Sequence, residues 1–412
     1  MKVTMTMKEN KKLQVMQGVL SGARTVIEAS EILGLSERHG YRVLANIRNK
    51  GALGVIHGNR DRASARRTPD KIRDRIIELR SGIYKQFNDH QFTDDLVDEE
   101  GIKISSETVR KILRRAGISA ERVVKRRKYR CRRKPRGKFG EMLQGDGSIH
   151  DWLEGRGAEL TLTHFVDDAT GVEWADFFER ETTEGYFWVM HDIIKRHGLP
   201  QSLYVDMHSV FRVNREDTKE EQLSGRRPLT TFRRAMEELA IHIIYAESAP
   251  AKGRVERRGG LNQDRLVSEL RKANACNLEE ARVVLKKHLR KNNRRFARKP
   301  ANPESAFIPL PEGCDLKQIL CWKEERTVGC DNTISFQGKV FQIPASSCRI
   351  SWAKCKVATH LCLDGSLHIF YKRQRIACFK NAGISWDALP TAPLNTTALG
   401  LHSPNLTFSL GQ

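Results

Sequence analysis

Apolar and polar positions follow two different periods along this chain of 412 residues. Over the first 120 residues the apolar positions recur every three or four residues, which predicts short amphipathic helices. Thr25 and Glu28 form a predicted capping box that opens one helix, and Gly34 ends it. Ser36 then caps a second, basic helix, and this layout is typical of a helix-turn-helix unit. Gly40 lies inside that second helix, at a cost of about 1 kcal/mol relative to alanine.

A second helical unit of the same kind is predicted to begin at Pro69, a favourable residue for a first turn. Ser105 or Ser106 caps its last helix, and Gly117 ends it. Two such units in tandem, each with a basic final helix, favour binding in the major groove of DNA.

Between residues 140 and 275 the pattern changes to short apolar runs, several of them alternating, which predict strands. Three strands are followed by a helix, a strand, a helix, a strand and a helix, which is the order of the ribonuclease-H-like fold. The predicted strands are 142–146, 160–166, 172–178, 202–206 and 241–245, and the helices are 183–197, 230–239 and one from near Lys252.

The fold class is therefore multidomain. It combines N-terminal all-α helix-turn-helix units, a central α/β ribonuclease-H-like core and a C-terminal small β-barrel. The predicted parts are a first helix-turn-helix at 1–60, a second or winged-helix-like unit at 61–120, a basic linker at 121–139, the catalytic core at 140–275, a basic helical connector at 276–312, the barrel at 313–380 and a loosely ordered tail at 381–412.

The net charge and its distribution along the chain further favour DNA binding. The formal net charge is +22, and residues 1–140 contain 34 lysines and arginines against 16 acidic residues. Between Arg122 and Lys138, 11 of 17 positions are basic and none is acidic, so this stretch cannot form a buried core. We expect an exposed linker that becomes ordered on phosphates. The alternative is a merely basic cytosolic protein.

The sequence does not support a membrane protein, a secreted protein or a zinc-binding protein. No apolar run approaches the ~18 residues of a membrane-spanning helix, and no secretory signal is visible. The nine cysteines include no CxxC pair, which favours reduced, mostly buried thiols over a zinc site.

Three carboxylates carry the candidate chemistry: Asp146 at the end of the first strand, Asp206 at the end of the fourth, and Glu256 on the last helix. The first and fourth strands of a ribonuclease-H-like sheet are neighbours, so the three could converge. Carboxylate oxygens suit Mg²⁺ or Mn²⁺, and two such ions about 4 Å apart promote in-line phosphoryl displacement. Singly, these acids could be turn formers, loop carboxylates or neutralisers of adjacent arginines; their joint placement favours a metal site.

The nearby polar residues have simpler interpretations. Asp167 and Asp168 precede a glycine, and we expect them to form a hairpin turn. His150 and His208 flank the proposed acids and could touch substrate, although loop histidines are usually only solvated.

Four segments resemble an insertion-sequence transposase with a retroviral-integrase-like catalytic core, with the ISNCY group the nearest in pattern. They are QGDGSIHDWLEGRG (144–157), THFVDDATG (163–171), YVDMHSVFRVN (204–214) and APAKGRVER (249–257). The resemblance covers about residues 10–310. It implies a DDE recombinase in which Asp146, Asp206 and Glu256 hold two Mg²⁺ ions while the enzyme cleaves element ends and joins them to target DNA. It also implies a bacterial protein that is cytoplasmic and associated with the nucleoid.

The implied partners are double-stranded DNA, both terminal inverted repeats and target, and further copies of the chain on that DNA, with no membrane partner. We expect Arg38, Arg42 and Arg48, and Arg110 and Arg114 of the second unit, to contact DNA. Along the linker the predicted DNA-binding residues are Arg126, Arg127, Lys128, Arg130, Arg132 and Arg133, and beside the scissile bond they are Lys252 and Arg254.

Gly259 and Gly260 depart from the family pattern, because paired glycines inside a helix cost about 2 kcal/mol. They motivate one rival interpretation, a catalytically inactive DNA-binding protein derived from a transposase. A second rival is a ribonuclease-H-like nuclease that acts on RNA:DNA hybrids, although A-form duplexes hide the major groove from helices.

Overall fold

The structure is a computed structural model that describes residues 4–60, 67–119, 133–214, 216, 219–224, 229–246, 253–346, 349–386 and 389. The chain divides into two compact units, Met1–Arg75 and Ile76–Gln412. The division falls within helix α4. Among the described residues, no helix has both the length and the apolar character needed to cross a bilayer.

The first unit is helical. Its core is formed by apolar side chains from each of its first three helices and from a short 3₁₀ helix, among them Met16, Ala29, Ile47 and Val55. The elements are α1 (Met7–Leu20), α2 (Val26–Leu33), α3 (Glu37–Lys50), the 3₁₀ helix (Gly51–Val55) and the start of α4 (Asp70–Ser81).

The predicted start of α2 is confirmed. The hydroxyl of Thr25 accepts a hydrogen bond from the backbone N–H of Glu28 at 3.3 Å, and the Glu28 carboxylate accepts one from the backbone N–H of Thr25 at 2.9 Å. Gly34 ends the helix with φ of 61°, a left-handed conformation that favours glycine. Ser36 is the residue before α3, although its side chain makes no capping hydrogen bond.

Gly40 lies where α3 packs closely against α2. A Cβ atom added there would lie 2.1 Å from Oγ of Ser30 and 3.2 Å from a methyl group of Val26. Ser30 is buried, so it has little room to move away. The helix-propensity cost expected for this glycine is therefore accompanied by a packing requirement that the sequence pattern did not reveal.

Gly40→Ala is expected to lower the free energy of unfolding of the first unit by about 1–3 kcal/mol through overpacking. The matched control is Gly18→Ala in α1, where the nearest atom to an added Cβ is a side-chain carbon of Arg24 at 3.5 Å. That change is expected to stabilise the helix by about 0.5–1 kcal/mol. Urea denaturation followed by circular dichroism measures both, and equal effects would contradict the packing argument.

The second unit begins with three helices: the end of α4, α5 (Asp89–Asp98) and α6 (Ser106–Arg115). Phe92, Leu96 and Leu113 lie in their shared core. Ser105 caps α6 as predicted, since its hydroxyl accepts a hydrogen bond from the backbone N–H of Thr108 at 3.3 Å.

A five-stranded sheet follows. β1 pairs antiparallel with β2 and parallel with β4, so the first and fourth strands are neighbours as predicted. The order across the sheet is β3-β2-β1-β4-β5. The strands are β1 (Leu143–His150), β2 (Leu160–Asp167), β3 (Glu173–Phe178), β4 (Ser202–Val205) and β5 (His242–Tyr245).

Helices cover both faces of this sheet. On one face Leu143, Phe165 and Leu203 pack with side chains of α7 and α9. On the other face Leu162 and Phe177 pack with α10 and α11. The covering helices are α7 (Thr183–His197), α9 (Thr231–Glu238), α10 (Val255–Lys272) and α11 (Leu278–Phe296), and α7 has the bounds expected from the sequence. A short helix, α8 (Lys219–Ser224), lies between β4 and α9 in the chain.

Acidic side chains of α5 face basic side chains of α10 and α11. Asp94 accepts from Arg265 at 3.1 Å and pairs with Arg295 at 2.6 Å, and all but Arg295 are almost fully buried. Asp95 pairs with Lys291. Burial by itself would lower the pKa of Lys291, but the hydrogen bond and charge of Asp95 outweigh it and raise this pKa. These contacts attach the second helical unit to the sheet domain.

The C-terminal strands form an open sheet rather than the predicted barrel. The order is β11-β10-β9-β6, and β7 and β8 pair separately as a hairpin, so the described strands do not close. β6 lies beside α9, where Lys323 pairs with Glu238 at 2.7 Å. The elements are α12 (Leu316–Ile319), β6 (Cys321–Thr327), β7 (Thr333–Phe336), β8 (Lys339–Gln342), β9 (Lys356–Cys362), β10 (Leu367–Tyr371) and β11 (Gln374–Phe379).

Candidate active site

Asp146 lies within β1, which extends to His150 and so does not end at this acid as predicted, and Asp206 directly follows β4, the parallel neighbour of β1. Leu143 pairs with Leu203 and Gln144 with Tyr204; Asp146 comes two residues after Gln144, and Asp206 two residues after Tyr204. The Asp146 side chain extends from the face of β1 opposite the buried Leu143, because alternate residues of a strand point to opposite faces. Both carboxylates are partly exposed. The meeting of these two acids stays a prediction, which the parallel pairing of β1 and β4 favours.

Gly147 is part of β1 and not of a turn, which removes the turn-former interpretation of Asp146. It makes room for a further acid: a Cβ atom added at Gly147 would lie 2.5–2.7 Å from the carboxylate of Glu181. Glu181 follows β3 and precedes α7, and its side chain is 15% exposed. A third carboxylate thus packs directly against the strand that carries Asp146.

Glu181 contacts two residues next to the acids. Its Oε1 accepts a hydrogen bond from the hydroxyl of Tyr186 at 2.7 Å and lies 3.5 Å from Nδ1 of His208. The backbone N–H of His208 donates to Asp206 at 3.0 Å. Burial raises the pKa of Tyr186 well above its usual value, and the negative charges of Glu181, Asp146 and Asp206 raise it further. Tyr186 therefore remains a neutral hydrogen-bond donor.

Glu256 lies in the first turn of α10, exposed to solvent. The helix crosses the same face of β1 that carries Asp146. Its first residue, Val255, donates a backbone hydrogen bond to Gln144 Oε1 at 3.2 Å, and Gln263 donates to Ser148 Oγ at 3.2 Å. These two contacts bracket Asp146 along the strand, so the start of α10 approaches the aspartate pair.

Gly259 and Gly260 do not interrupt α10, which continues to Lys272. A Cβ atom at Gly259 would make only ordinary contact with the imidazole of His164, at 3.9–4.0 Å, and one at Gly260 would meet nothing within 4 Å. The helix therefore tolerates the predicted propensity cost and remains in position to carry Glu256.

Asp168 follows β2 and its side chain is fully buried. It accepts hydrogen bonds from Gln144 Nε2 at 2.6 Å, Arg254 Nη1 at 2.5 Å and the backbone N–H of Arg136 at 2.7 Å, and also from Arg133. The predicted turn at Asp167 is present, since its carboxylate accepts from Thr170. Asp168, however, links β1, the end of the basic segment and the start of α10.

Behind the aspartates, buried polar side chains connect the sheet to α10. His164, the cross-strand partner of Asp146, shares a hydrogen bond of 2.8 Å with Glu173, and Asn262 donates to the same carboxylate at 2.7 Å. Burial alone would raise the pKa of Glu173, but the hydrogen bond and charge of His164 and the nearby Arg258 hold it below its usual value. An ionised Glu173 thus anchors this side of α10.

Among the residues that the structure describes, no three acidic, histidine or cysteine side chains are arranged to hold a metal ion. Asp146, within β1, and Asp206, directly after β4, carry the hard oxygen donors that Mg²⁺ requires. Glu256 lies at the start of α10 and does not complete a cluster. The residue types fit a divalent ion.

The predicted DNA-binding residues fall into three groups. Arg38, Arg42 and Arg48 are exposed on α3, while Arg110 pairs with Glu107 and Arg114 with Asp89. Arg133 and Arg254 pair with Asp168 and so point partly inward. The remaining ones, Arg126, Arg127, Lys128, Arg130, Arg132 and Lys252, lie outside the described residues.

Sequence reasoning missed Glu181, Gln144 and the role of Asp168 in linking elements. Glu181 precedes a predicted helix with no pattern around it that indicates a site. Gln144 was quoted only as part of a motif. The one available signal was Gly147 beside Asp146, since a strand glycine often marks a close approach.

Two curated proteins are similar to this chain over most of its length. A putative transposase, y4bF, of Sinorhizobium fredii is 34% identical over 372 residues, 90% of this chain and 80% of that protein. The transposase for insertion sequence IS1202 of Streptococcus pneumoniae is 31% identical over 401 residues, 88% of this chain and 84% of that protein. No protein-family profile matches the sequence.

A solved structure of the HTLV-2 integrase catalytic core domain in complex with magnesium is 18% identical, with a TM-score of 0.26 over 37% of this chain and 87% of that chain. Nothing further follows from a likeness this low. The two long sequence matches show that the chain belongs to the insertion-sequence transposases. The family resemblance inferred from the four motifs is thereby confirmed.

Gly147→Ala is expected to lower strand-transfer activity at least tenfold, because the added methyl group would displace the Glu181 carboxylate from Tyr186 and His208. The matched control is Gly82→Ala in the same compact unit, where the nearest atom would lie 3.4 Å away. Strand transfer on labelled element ends and thermal melting measure activity and folding. Unchanged activity in Gly147→Ala would show that Glu181 has no role in the site.

Proposed function

We propose that this transposase binds the terminal inverted repeats of its element and catalyses metal-dependent cleavage and strand transfer as a DDE recombinase. The observation that supports this most directly is the parallel pairing of β1 with β4, because continuing its register by two residues would bring Asp206 beside Asp146. The reaction class is supported by two relatives named as transposases, whose sequences match this chain over 80% and 84% of their own length.

Asp146, Asp206 and Glu256 are proposed as the ligands of two Mg²⁺ or Mn²⁺ ions. When bound, such ions would activate the attacking water or 3′-hydroxyl and stabilise the leaving oxygen. Asp146 is held within the sheet, Asp206 directly follows β4, and Glu256 is carried by a helix start that contacts Gln144 on the strand of Asp146. Closing of this turn onto the aspartates when DNA is bound would complete the ligand set.

The chain's other residues have defined tasks in this proposal. Tyr186, a neutral donor, holds Glu181 against β1, and Glu181 in turn lies beside His208 on the exposed side of the site. His208 is thereby placed to donate a hydrogen bond to a phosphate oxygen of the bound strand. His150 packs edge-on against Trp152 at 5.3 Å, which favours a structural role for it.

DNA binding is proposed for the helical units. α2 and α3 meet at the glycine turn at Gly34, and α3 exposes Arg38, Arg42 and Arg48 on the side away from the core residues Val43 and Ile47. This is the arrangement in which a helix-turn-helix presents its second helix to the major groove. α6 exposes Arg110 in the same way. Assembly of several copies on paired element ends is part of the proposal.

Asp206→Asn is expected to reduce strand transfer at least a hundredfold while binding to element ends changes by less than about threefold, because an amide lacks the charge that the metal ion requires. The matched control is Asp192→Asn, a partly exposed aspartate of α7 that pairs with Arg196 of the same helix at 2.8 Å. Gel assays of labelled ends with Mg²⁺ or Mn²⁺ measure both steps.

The same assay separates the rivals. A parent protein that binds ends but yields no product with any divalent ion would establish the inactive DNA-binding protein. Preference for an RNA:DNA hybrid over duplex DNA would establish the nuclease. Equal activity of Asp206→Asn and the parent would contradict the proposed catalytic site.

The basic linker makes a separate prediction. Replacing Arg126, Arg127, Lys128, Arg130 and Arg132 by glutamine should make the plot of log affinity against log salt less steep by about 4–5, because each phosphate contact contributes about 0.9 to the slope. Arg133 is retained because it pairs with Asp168. Fluorescence anisotropy between 50 and 300 mM salt measures the slope, and an unchanged slope would remove the linker from the DNA interface.

A further inference from the structure

The carboxylate of Asp168 is the point at which three separate parts of the second unit meet. It lies just after β2, its side chain is fully buried, and its backbone N–H donates to Met142 at 3.0 Å. The residue lies 22 positions after Asp146 and 88 before Glu256, so neither of the proposed catalytic acids is its neighbour in sequence. Its hydrogen bonds nevertheless reach Gln144 and Arg254, each of which lies two residues before one of these acids.

One contact leads to Asp146. Gln144 is fully buried and lies two residues before Asp146, so both side chains extend from the same face of β1. Its amide nitrogen donates to Asp168 Oδ1 at 2.6 Å. The Gln144 amide group is thereby held in one orientation, with its oxygen directed at α10.

The other contacts lead to Glu256. The Gln144 oxygen accepts from the backbone N–H of Val255, the first residue of α10, at 3.2 Å. Arg254, immediately before the helix, donates to Asp168 at 2.5 Å. Two consecutive residues of the chain are thus bound to this pair, and Glu256 is the next residue.

The start of α10 lacks the usual local means of fixing its position. Arg254 occupies the residue before the helix and provides no side-chain cap to its first turn. The first N–H groups of a helix have no partner within it, so they need an outside acceptor. Gln144 supplies one from the strand that carries Asp146.

We propose that Asp168 is a positioning residue of the active site, which acts through Gln144 and Arg254 to hold the Glu256 turn against β1 beside Asp146. This inference rests on the proposed function of Glu256. It also assigns Arg133 and Arg254 an inward role, as partners of Asp168, in place of the DNA contacts expected from their charge.

Two substitutions interrupt the link at different points. Asp168→Asn keeps the shape but removes the charge that holds the arginines. Gln144→Met leaves Asp168 its arginine partners and removes the hydrogen bonds that join Gln144 to Asp168 and to Val255, so it tests the link if the first variant folds poorly. The matched control is Asp167→Asn, an adjacent buried carboxylate that accepts from Gly140 and Thr170 in the turn.

The measurements are binding of Mn²⁺ to the full-length protein by electron paramagnetic resonance, strand transfer, and melting temperature without metal. Asp168→Asn and Gln144→Met are expected to weaken Mn²⁺ binding at least tenfold and to lower strand transfer in parallel. Asp167→Asn is expected to lower the melting temperature without changing Mn²⁺ affinity. A purely structural role for Asp168 would instead make all three variants alike.

The variant Glu256→Gln distinguishes a failure of the positioning role of Asp168 from a failure of the proposed function. If Glu256→Gln abolishes strand transfer but Asp168→Asn and Gln144→Met bind Mn²⁺ as the parent does, the positioning role is overturned and the catalytic assignment stands. If Glu256→Gln itself has parental activity and Mn²⁺ affinity, the catalytic assignment of Glu256 is overturned, and the positioning role with it.

Discussion

The parallel pairing of β1 with β4 is the constraint on which the rest of the site depends. It pairs the strand that carries Asp146 with the strand that ends just before Asp206, 60 residues later in the sequence. A parallel pair needs a long crossover, and here β2, β3 and α7 supply it. The same crossover brings Glu181 and Tyr186 beneath the acids. The site thus follows from the sheet topology together with the glycine after Asp146.

Buried carboxylates form ion pairs with basic residues of this chain, which has a large excess of positive charge. Asp168 binds Arg133 and Arg254, Asp94 binds Arg265 and Arg295, and Glu173 lies beside Arg258. Each of these acids has little exposure, so its charge is poorly screened and its partner is held in place. Part of the basic excess therefore serves the attachment of α10 and α11.

Much of the fold could be predicted because its signals are local. The capping box at Thr25, the cap at Ser105 and the apolar spacing within α7 and α11 all act within a few residues. α1 and α5 were missed, because both are rich in charged and polar residues and α5 buries Asp94 and Asp95. The open C-terminal sheet was also missed, since strand periodicity gives no information on which edges pair.

The sequence by itself determined most elements of the five-stranded sheet and its helices, and their order, because periodicity and capping depend on neighbouring residues. Tertiary structure decided which charges face solvent and which are buried. Arg254 and Asp168 lie 86 residues apart, and their pairing depends on desolvation at a junction of three elements. Likewise, only the packing against Ser30 explains Gly40, and only the Glu181 carboxylate explains Gly147. Such requirements arise between distant segments, where no local pattern records them.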